Sequence, residues 1–292
     1  MSVELTIITA TYNRARSLER LYKSLNNQME YNFEWIIIDD GSLDDTEGTV
    51  KSVARNCSKF DIKYYKKENQ GKHVALNYSH QYISGRFCMV VDDDDVLPDD
   101  AIKTILCYIK KYSGNPQIGC ICFQKADFNK KPLVDWKGNT DIISNTIDFR
   151  INQNHGGDCA EVARTEVFCQ YPFPIFDGEK FLSEDNLWIK SAYKYDTVYV
   201  KKIVYLAEYL EDGLTRNKER NRLKDPIGKL YNYNLYFDKR FKLAVKAKKA
   251  ILYNCCALKS GRYFYYMKRC DWGIWCYIFA PIALPFYLKW KR

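Results

Sequence analysis

The sequence predicts an α/β fold in which a mostly parallel sheet is flanked by helices. Short apolar runs alternate with amphipathic stretches over the first 110 residues, a pattern typical of strand–helix–strand units. Three of these runs end in polar clusters, and the carboxyl ends of parallel strands are where such sheets bind ligands. The 292 residues suffice for one large domain with an appendage.

The order of the elements follows from the spacing of apolar residues. Leu18, Leu21, Tyr22 and Leu25 recur at helical spacing, and Ser17 is a candidate N-cap for that helix. The predicted strands are residues 5–10, 34–38, 62–65, 87–91 and 118–123. The other predicted helices are residues 50–57, 73–83, 101–109, 183–195 and 241–258. Residues 129–157 carry few periodic signals.

Charge divides the chain near residue 215. Residues 216–292 contain 19 Lys and Arg and four Asp and Glu, a net charge of +15, whereas the first 215 residues carry a net charge of −6. We therefore predict a main domain at 1–215 and a basic, aromatic helical extension at 216–292. An acidic main domain argues against a nucleic-acid-binding protein, which would present a basic surface to phosphates.

The extension ends in an apolar, aromatic segment, residues 272–288. The segment is short for a bilayer span, Pro281 and Pro285 interrupt it, and Lys and Arg residues flank both of its ends. Its Trp and Tyr side chains favour the headgroup layer. The pattern predicts a segment that lies in an anionic membrane surface, and the alternative is an apolar strap packed on the main domain.

The N-terminus and the cysteines predict a protein that is not exported. An acidic residue at position 4 and a short apolar run do not fit a signal peptide. The eleven cysteines are scattered and include no CxxC pair. We expect reduced, mostly buried thiols on the cytoplasmic side.

The strongest site signal is the run of four aspartates, residues 92–95, directly after the predicted strand 87–91. Adjacent carboxylates repel one another, and Mg²⁺ or Mn²⁺ would supply the missing counter-charge with oxygen ligands. The alternative is a solvated acidic loop before a helix, with Asp99 and Asp100 near the N-terminus of that helix. Two further polar clusters, residues 9–14 and 39–42, also follow strands.

The order of these clusters resembles the family 2 nucleotide-sugar glycosyltransferases. The motifs are Thr-Ala-Thr-Tyr-Asn-Arg at 9–14, Ile-Asp-Asp-Gly-Ser at 38–42, Asn-Gln-Gly-Lys at 69–72 and Asp-Asp-Asp-Asp-Val-Leu-Pro at 92–98. The similarity is strong over the first 110 residues and patchy to about 217. It implies the GT-A fold, whose Rossmann-like sheet holds a nucleotide diphosphate-sugar, with a nucleotide-binding half at about 1–110 and an acceptor half at about 111–215.

The resemblance also implies roles for residues of the first half. A base, most often uracil, would be hydrogen-bonded by Asp40, and Lys72 would lie near the diphosphate. The side chains implied to line the nucleotide pocket are those of Thr9, Thr11, Asn13 and Arg14.

The aspartate run corresponds to the DXD-type motif of that family. The pairs 92/94 and 93/95 both have the required spacing, so the sequence leaves the register open. We expect Asp92 and Asp93 to face the nucleotide-sugar and Asp94 or Asp95 to hold Mn²⁺ or Mg²⁺.

The acceptor half contains a candidate catalytic base. Glu184 and Asp185 resemble the Glu-Asp motif that supplies the base in this family, and an inverting transfer needs a carboxylate to accept the acceptor's proton. We favour Asp185, with Glu184 as the competing choice. Ser183 as N-cap, followed by two acids in the first helical turn, explains the same residues structurally. Residues 209–216 resemble a segment of capsule and O-antigen transferases in which Arg216 would neutralise diphosphate charge; an ordinary turn is the alternative.

Together these features predict an inverting, metal-dependent glycosyltransferase. It would move a hexosyl or N-acetylhexosaminyl group from a nucleotide-sugar, with a UDP-sugar as the expected donor, to a polyprenyl-diphosphate-linked saccharide in bacterial surface polysaccharide biosynthesis. Its place would be the cytoplasmic side of the inner membrane, on anionic lipid. The rivals are a nucleotidyltransferase, which would usually show a Gly-rich loop that residues 9–17 lack, a nucleic-acid-binding protein, and an inert sugar-binding homologue.

Overall fold

The first of two compact units is built on one sheet. The computed structural model describes residues 3–136, 140–207 and 223–291. The first unit consists of Met1–Asn145, His155–Pro172 and Lys190–Glu208. Its strands are β1 (Leu5–Thr11), β2 (Phe33–Asp39), β3 (Asp61–Lys66), β4 (Phe87–Val90), β5 (Ile118–Ala126), β6 (Ile142–Ser144), β7 (Cys159–Arg164) and β8 (Asp196–Leu206).

The eight strands lie in the order β3-β2-β1-β4-β7-β5-β8-β6. The first four are parallel, and β5 is parallel to β8. β7 runs antiparallel to β4 and β5, and β6 is an antiparallel edge strand. The predicted α/β class with a mostly parallel sheet is confirmed.

β2 shows why helices cover both faces of the sheet. Every residue of β2 is buried, so its side chains alternate between two apolar layers. Trp35 and Ile37 belong to the core formed with three helices: α1 (Ala15–Asn26), α2 (Thr46–Asn56) and α4 (Ala101–Tyr112). Ile36 and Ile38 pack with Ala75 of α3 (Lys72–Ser79) on the opposite face. A further helix, α5 (Thr165–Gln170), follows β7 directly.

Elements with few periodic signals are short or irregular. The predicted helix at 183–195 is shorter in the structure, α6 (Asp185–Ser191). The stretch 129–157, which carries few such signals, contains the three-residue β6 and one wide helical turn, Ile147–Asn152. Segments this short hold too few residues for a period to be recognised. The eleven cysteines are thiols, and eight of them are buried, in line with the prediction of mostly buried thiols.

The second unit is helical. It consists of Thr146–Asn154, Phe173–Ile189 and Tyr209–Arg292. Its later helices are α7 (Pro226–Asn234), α8 (Leu243–Lys259), α9 (Tyr263–Met267), α10 (Ile274–Ile278) and α11 (Ala280–Lys291). α8 is the central helix: Tyr253 and Cys256 pack with Leu230 and Cys276 in one cluster, and Cys255 packs with Ala283 in another.

The apolar C-terminal segment is a pair of helices. The expectation that both prolines interrupt it is wrong for Pro285, because α11 continues through that residue. Pro281 lies in the first turn of α11, where a missing N–H leaves no helical hydrogen bond unmade. The break falls at Phe279, between α10 and α11. Among the described residues no helix is both long enough and apolar enough to cross a membrane.

Gly85 lies where the backbones of β1 and β4 approach closely. A Cβ on Gly85 would lie 2.6 Å from the Thr6 nitrogen and 2.8 Å from the Phe87 carbonyl oxygen, and neither backbone atom can move aside. We expect Gly85→Ala to lower the free energy of unfolding by roughly 1–3 kcal/mol, as overpacked sites do. Gly114→Ala is the control, since nothing lies within 4 Å of its added Cβ. Equal denaturant midpoints for the two variants would contradict this close approach.

Candidate active site

The loop after β1 is tied to the loop after β2. Asn13 has a left-handed backbone with φ of 55°. Its N–H donates to Ser42 Oγ at 2.8 Å, and its Oδ1 accepts from the Leu43 N–H at 2.7 Å. Asn suits this position because its side chain tolerates the left-handed region and bonds backbone locally. The two polar clusters therefore lie side by side, as their positions after adjacent parallel strands predict.

Asp40 is the anchor of the loop that leads into α3. It is 4% exposed. Its Oδ1 accepts from Lys67 Nζ at 2.9 Å and from the Gln70 N–H at 3.0 Å, and its Oδ2 accepts from the Gly71 N–H at 2.7 Å. Both oxygens are thus engaged within the protein, and a bond from a nucleotide base would be additional to these three. By fixing residues 67–71, Asp40 sets where α3 begins.

Each of three carboxylates at the end of β4 has a partner on a different element. Lys72 Nζ of α3 lies 2.6 Å from Asp92 Oδ1. Thr11 Oγ1 of β1 donates to Asp93 Oδ2 at 2.6 Å. Tyr205 of β8 donates to Asp95 Oδ2 at 2.7 Å and accepts from the Asp92 N–H at 2.9 Å. The Arg20 guanidinium of α1 donates to the backbone carbonyl of Asp94.

The carboxylates differ in charge balance. Burial acts to raise the pKa of Asp92, but Lys72 and Lys125 outweigh it and lower that pKa to about 2. Burial, reinforced by the neighbouring carboxylates, raises the pKa of Asp93 to about 7. Burial and Asp92 likewise raise the pKa of Asp94. The surroundings therefore favour the charged form of Asp92 and disfavour the charged forms of Asp93 and Asp94.

This donor set fits a hard divalent cation. Asp92, Asp93 and Asp94 are half-buried and offer oxygen ligands, the type that Mn²⁺ and Mg²⁺ prefer. The uncompensated charge on Asp93 and Asp94 is what a bound cation would neutralise. Asp95 is 5% exposed and commits one oxygen to Tyr205.

Arg14 brings positive charge to the same edge of the sheet. Its guanidinium lowers the pKa of Asp93 and Asp94, against the stronger effect of burial. Arg14 and Arg16 also line a cavity of about 350 Å³ together with Asp44 and Asp45. An anionic ligand at this edge would meet both arginines.

Thr9 does not lie beside the carboxylates at the end of β4. Its side chain is fully buried, and its hydroxyl accepts a hydrogen bond from Trp35 Nε1 at 3.0 Å. Thr11, two residues further along β1, reaches the strand end and contacts Asp93. Of the two threonines in the predicted pocket, the structure places Thr11 beside the carboxylates and Thr9 in the core.

The candidate bases lie in the second unit. Asp185 is the first residue of α6, is exposed, and accepts a hydrogen bond on Oδ2 from the Tyr236 hydroxyl at 2.8 Å. Burial first, and then Asp185, raise the pKa of Tyr236. Glu184 is half-buried, and its carbonyl accepts from the Leu187 N–H. The segment with Arg216 lies outside the described residues.

Sequence reasoning missed several residues that organise these sites. Lys67 directly follows β3, so the rule applied to the other strand ends would have found it. Tyr205 and Arg20 carry no local signal, because their partners lie far away in the chain. The other missed residues are Lys125, Tyr236 and Lys249.

The sheet with an acidic edge beyond β4 defines a protein of the GT-A class. The chain belongs to glycosyltransferase family 2: residues 6–164 match the family model described as Glycosyl transferase family 2. The predicted family and the prediction of a glycosyltransferase are confirmed. A Campylobacter jejuni protein named GalNAc(5)-diNAcBac-PP-undecaprenol β-1,3-glucosyltransferase is 28% identical over 238 residues, 78% of this chain and 72% of that protein.

Other relatives are matched over less of their length. An uncharacterised glycosyltransferase of Mycoplasma genitalium is 28% identical over 139 residues, 46% of this chain and 45% of that protein.

Solved structures show the same fold at low sequence identity. TarS 1–349 of S. aureus, in complex with UDP-GlcNAc, gives a TM-score of 0.64 at 17% identity, covering 99% of this chain and 82% of that one. The mannosyltransferase PcManGT from Pyrobaculum calidifontis, in complex with GDP-Man and Mn²⁺, gives a TM-score of 0.58 at 15% identity, covering 99% of this chain and 83% of that one.

The opposite charge balance of Asp92 and Asp93 predicts opposite effects on stability. The pKa of Asp93 in the folded protein, about 7, lies above its ordinary value of 3.8, so folding binds a proton between about pH 4 and 7. Stability therefore falls as pH rises through that window. In metal-free buffer at pH 8, we expect Asp93→Asn to unfold with a free energy higher by on the order of 1–3 kcal/mol.

Asp92→Asn should instead lower stability at pH 8, because it removes the partner of Lys72. The exposed Asp100→Asn is the control. Denaturant unfolding at pH 4 and pH 8 measures all three variants, and the gain for Asp93→Asn should shrink at pH 4. A loss of stability for Asp93→Asn at pH 8 would show that its charge is compensated after all.

Proposed function

We propose that this enzyme transfers a hexosyl or N-acetylhexosaminyl group from a UDP-sugar, with inversion, to a polyprenyl-diphosphate-linked saccharide. The observation that carries the proposal is the group of adjacent carboxylates beyond β4, in which burial and neighbouring carboxylates raise the pKa of Asp93 and Asp94. The Campylobacter relative is named for a lipid-linked acceptor, and TarS was solved with UDP-GlcNAc. Both support the substrate classes, which would be those of bacterial surface polysaccharide synthesis, capsule or O-antigen.

Asp94 is the proposed ligand of Mn²⁺ or Mg²⁺, with Asp92 and Asp93 towards the nucleotide-sugar. The Mn²⁺ in the PcManGT structure supports a divalent ion. Asp95, the other candidate ligand, is buried and bonded to Tyr205, which favours an anchoring role for it. When bound, the cation supplies positive charge to the departing diphosphate.

The chain's own residues would act on both sides of the transfer. Lys72 and Arg14 add positive charge for the diphosphate, and Asp40 with Asn13 holds the loops that receive the nucleotide. Asp185 would accept the proton of the acceptor hydroxyl as its oxygen attacks the anomeric carbon. The bond from the anomeric carbon to UDP breaks on the opposite face, which inverts the configuration. Glu184 is the alternative base.

The extension at 216–292 would hold the enzyme on a membrane. Ten large apolar side chains of residues 264–288 are exposed, among them Ile274 at 75%, Trp275 at 58% and Ile278 at 57%. Exposed basic residues flank them, namely Lys268, Arg269, Lys289 and Lys291. Exposed apolar side chains with basic residues on either side in the chain fit an anionic lipid surface. α11 is about 18 Å long, shorter than the about 30 Å hydrocarbon core.

A donor screen tests the reaction. We expect the purified enzyme to release UDP from a UDP-sugar when Mn²⁺ or Mg²⁺ and a polyprenyl-diphosphate saccharide are present, and to release little GDP or dTDP. Asp94→Ala should lower turnover at least roughly 100-fold, and Asp185→Asn roughly 1,000-fold, because each removes a group needed at the reacting centre. Asp100→Ala is the matched control, since it is an exposed aspartate outside the group.

If Asp94→Ala keeps full activity, Asp94 is not the metal ligand, and the neighbouring aspartates are the ones to test. Full activity of Asp185→Asn would leave Glu184 as the base to test. Release of UDP in the presence of EDTA at the full rate would contradict metal dependence.

Vesicle sedimentation tests the membrane contact. We expect the enzyme to bind vesicles that contain phosphatidylglycerol, and to bind them less well at high salt because exposed basic residues are screened. The double variant Trp275→Ser, Ile278→Ser should bind at least about tenfold more weakly, since two exposed apolar side chains no longer insert. Leu43→Ser, at an 88% exposed position of the first unit, is the control. Equal binding by both variants would place the contact elsewhere.

A further inference from the structure

A cavity in the second unit lies beside Asp185. It has a volume of about 240 Å³ and is lined by residues of three helices and the segment before α6. Its polar lining side chains belong to Ser183, Asp185, Lys229, Asn232, Tyr233 and Lys249. Lys229, Asn232, Tyr233 and Lys249 come from α7 and α8, which lie beyond the residues that the family model matches.

Tyr236 orients the Asp185 carboxylate. Its side chain is 3% exposed, so its hydroxyl has little freedom, and it donates to Oδ2 of Asp185 at 2.8 Å. Within the described residues no hydrogen bond is made to Oδ1 of Asp185. The carboxylate is therefore held by one oxygen, and the other remains to accept a proton.

Lys249 places an ammonium group near the same carboxylate. Its Nζ lies 3.7 Å from the ring centroid of Tyr236 and 5.3 Å from that of Tyr233, which are cation–π distances. Burial lowers the pKa of Lys249 to about 8, and the charge of Asp185 opposes that effect. The faces of two aromatic rings and the charge of one carboxylate thus offset the loss of hydration that burial imposes on this ammonium group.

The cavity wall is polar beside Asp185. Ser183 and Asn232 line it together with Asp185. The exposed Asp185 carboxylate can accept a hydrogen bond from a hydroxyl that enters the cavity. A hydroxylated ring in this space would therefore meet the candidate base directly.

We propose that Tyr236 and Lys249 are positioning residues of the catalytic base: Tyr236 holds the Asp185 carboxylate, and Lys249 places positive charge near it, beside a cavity that receives the hydroxylated end of the acceptor. This inference rests on the proposed role of Asp185. It extends the role of the C-terminal helices from membrane contact to catalysis. The principle is that of a base whose orientation is fixed by neighbouring groups.

The ionisation of Lys249 gives the proposal a pH signature. The groups that face it are Asp185 from α6, Tyr233 from α7, Tyr236 from the turn after α7, Lys229 across the cavity, and Lys248 on its own helix. Below about pH 8 the group is an ammonium ion, and above it the charge is lost. Turnover should therefore fall as pH rises through about 8.

The first experiment compares four variants of the full chain, with the donor and acceptor found in the screen and UDP release as the readout. We expect Tyr236→Phe and Lys249→Met to lower kcat about ten- to hundredfold with the donor KM unchanged, because the first loses the hydrogen bond to Asp185 and the second loses the positive charge near it. Lys249→Arg should keep most of the activity and move the alkaline limb to higher pH, since guanidinium stays charged. Lys259→Met, exposed and at the end of the same helix, is the control.

The second experiment needs no turnover. NMR of lysine-labelled protein, with the Lys249 signal assigned by Lys249→Arg, measures its titration directly. We expect a midpoint near pH 8 in the wild-type protein. The midpoint should fall in Asp185→Asn, because the charge that favours the ammonium form is gone. An unchanged midpoint in Asp185→Asn would overturn the coupling.

The outcomes separate this inference from the proposed function. If Asp185→Asn keeps full turnover, the base assignment fails. If Asp185→Asn is inactive while Tyr236→Phe and Lys249→Met match Lys259→Met at every pH, the base assignment stands and only the positioning role is wrong.

Discussion

Four adjacent carboxylates at the end of β4 are the constraint around which the first unit is arranged. Side by side they repel one another, and the side chains of Asp92, Asp93 and Asp95 bond to three different elements. The partners are Lys72 on α3 for Asp92, Thr11 on β1 for Asp93, Tyr205 on β8 for Asp95, and Arg20 on α1 for the backbone of Asp94. The contacts that make the acidic edge tolerable also join strands β1, β4 and β8 at their carboxyl ends.

Local patterns predicted the strands and the polar clusters because each of these features depends on only a few consecutive residues. They could not separate Thr9 from Thr11, which share a motif but lie two residues apart on β1, one in the core and one at the strand end. Tyr205 lies 113 residues from Asp92, and no local period reports a contact at that distance. The fold class was therefore predictable, whereas the hydrogen-bonded partners of the site depend on tertiary packing.

In the second unit, lysines that count equally in the net charge lie in different surroundings. Lys249 is one of 19 basic residues that predict contact with anionic lipid, yet it lies beside two tyrosine rings and Asp185. Lys289 and Lys291, on α11, are exposed. The two sets are linked through α8, which carries Lys249 on one face and packs Cys255 against Ala283 of α11 with another. One helix thus supports both the cavity and the apolar surface.

Asp92 and Asp93 are neighbours whose pKa values are displaced in opposite directions. A sequence selected only for stability would not keep Asp93 charged in a half-buried position, because Asn would make the same bond to Thr11 without the repulsion. Lys72 balances the charge of Asp92, whereas the one partner named for the Asp93 carboxylate, Thr11, is neutral. Carboxylates whose charged form is disfavoured at the carboxyl end of a strand are accounted for if a cation compensates them during function. The raised pKa values of Asp93 and Asp94, rather than the length of the aspartate run, favour the proposed metal site over a solvated acidic loop.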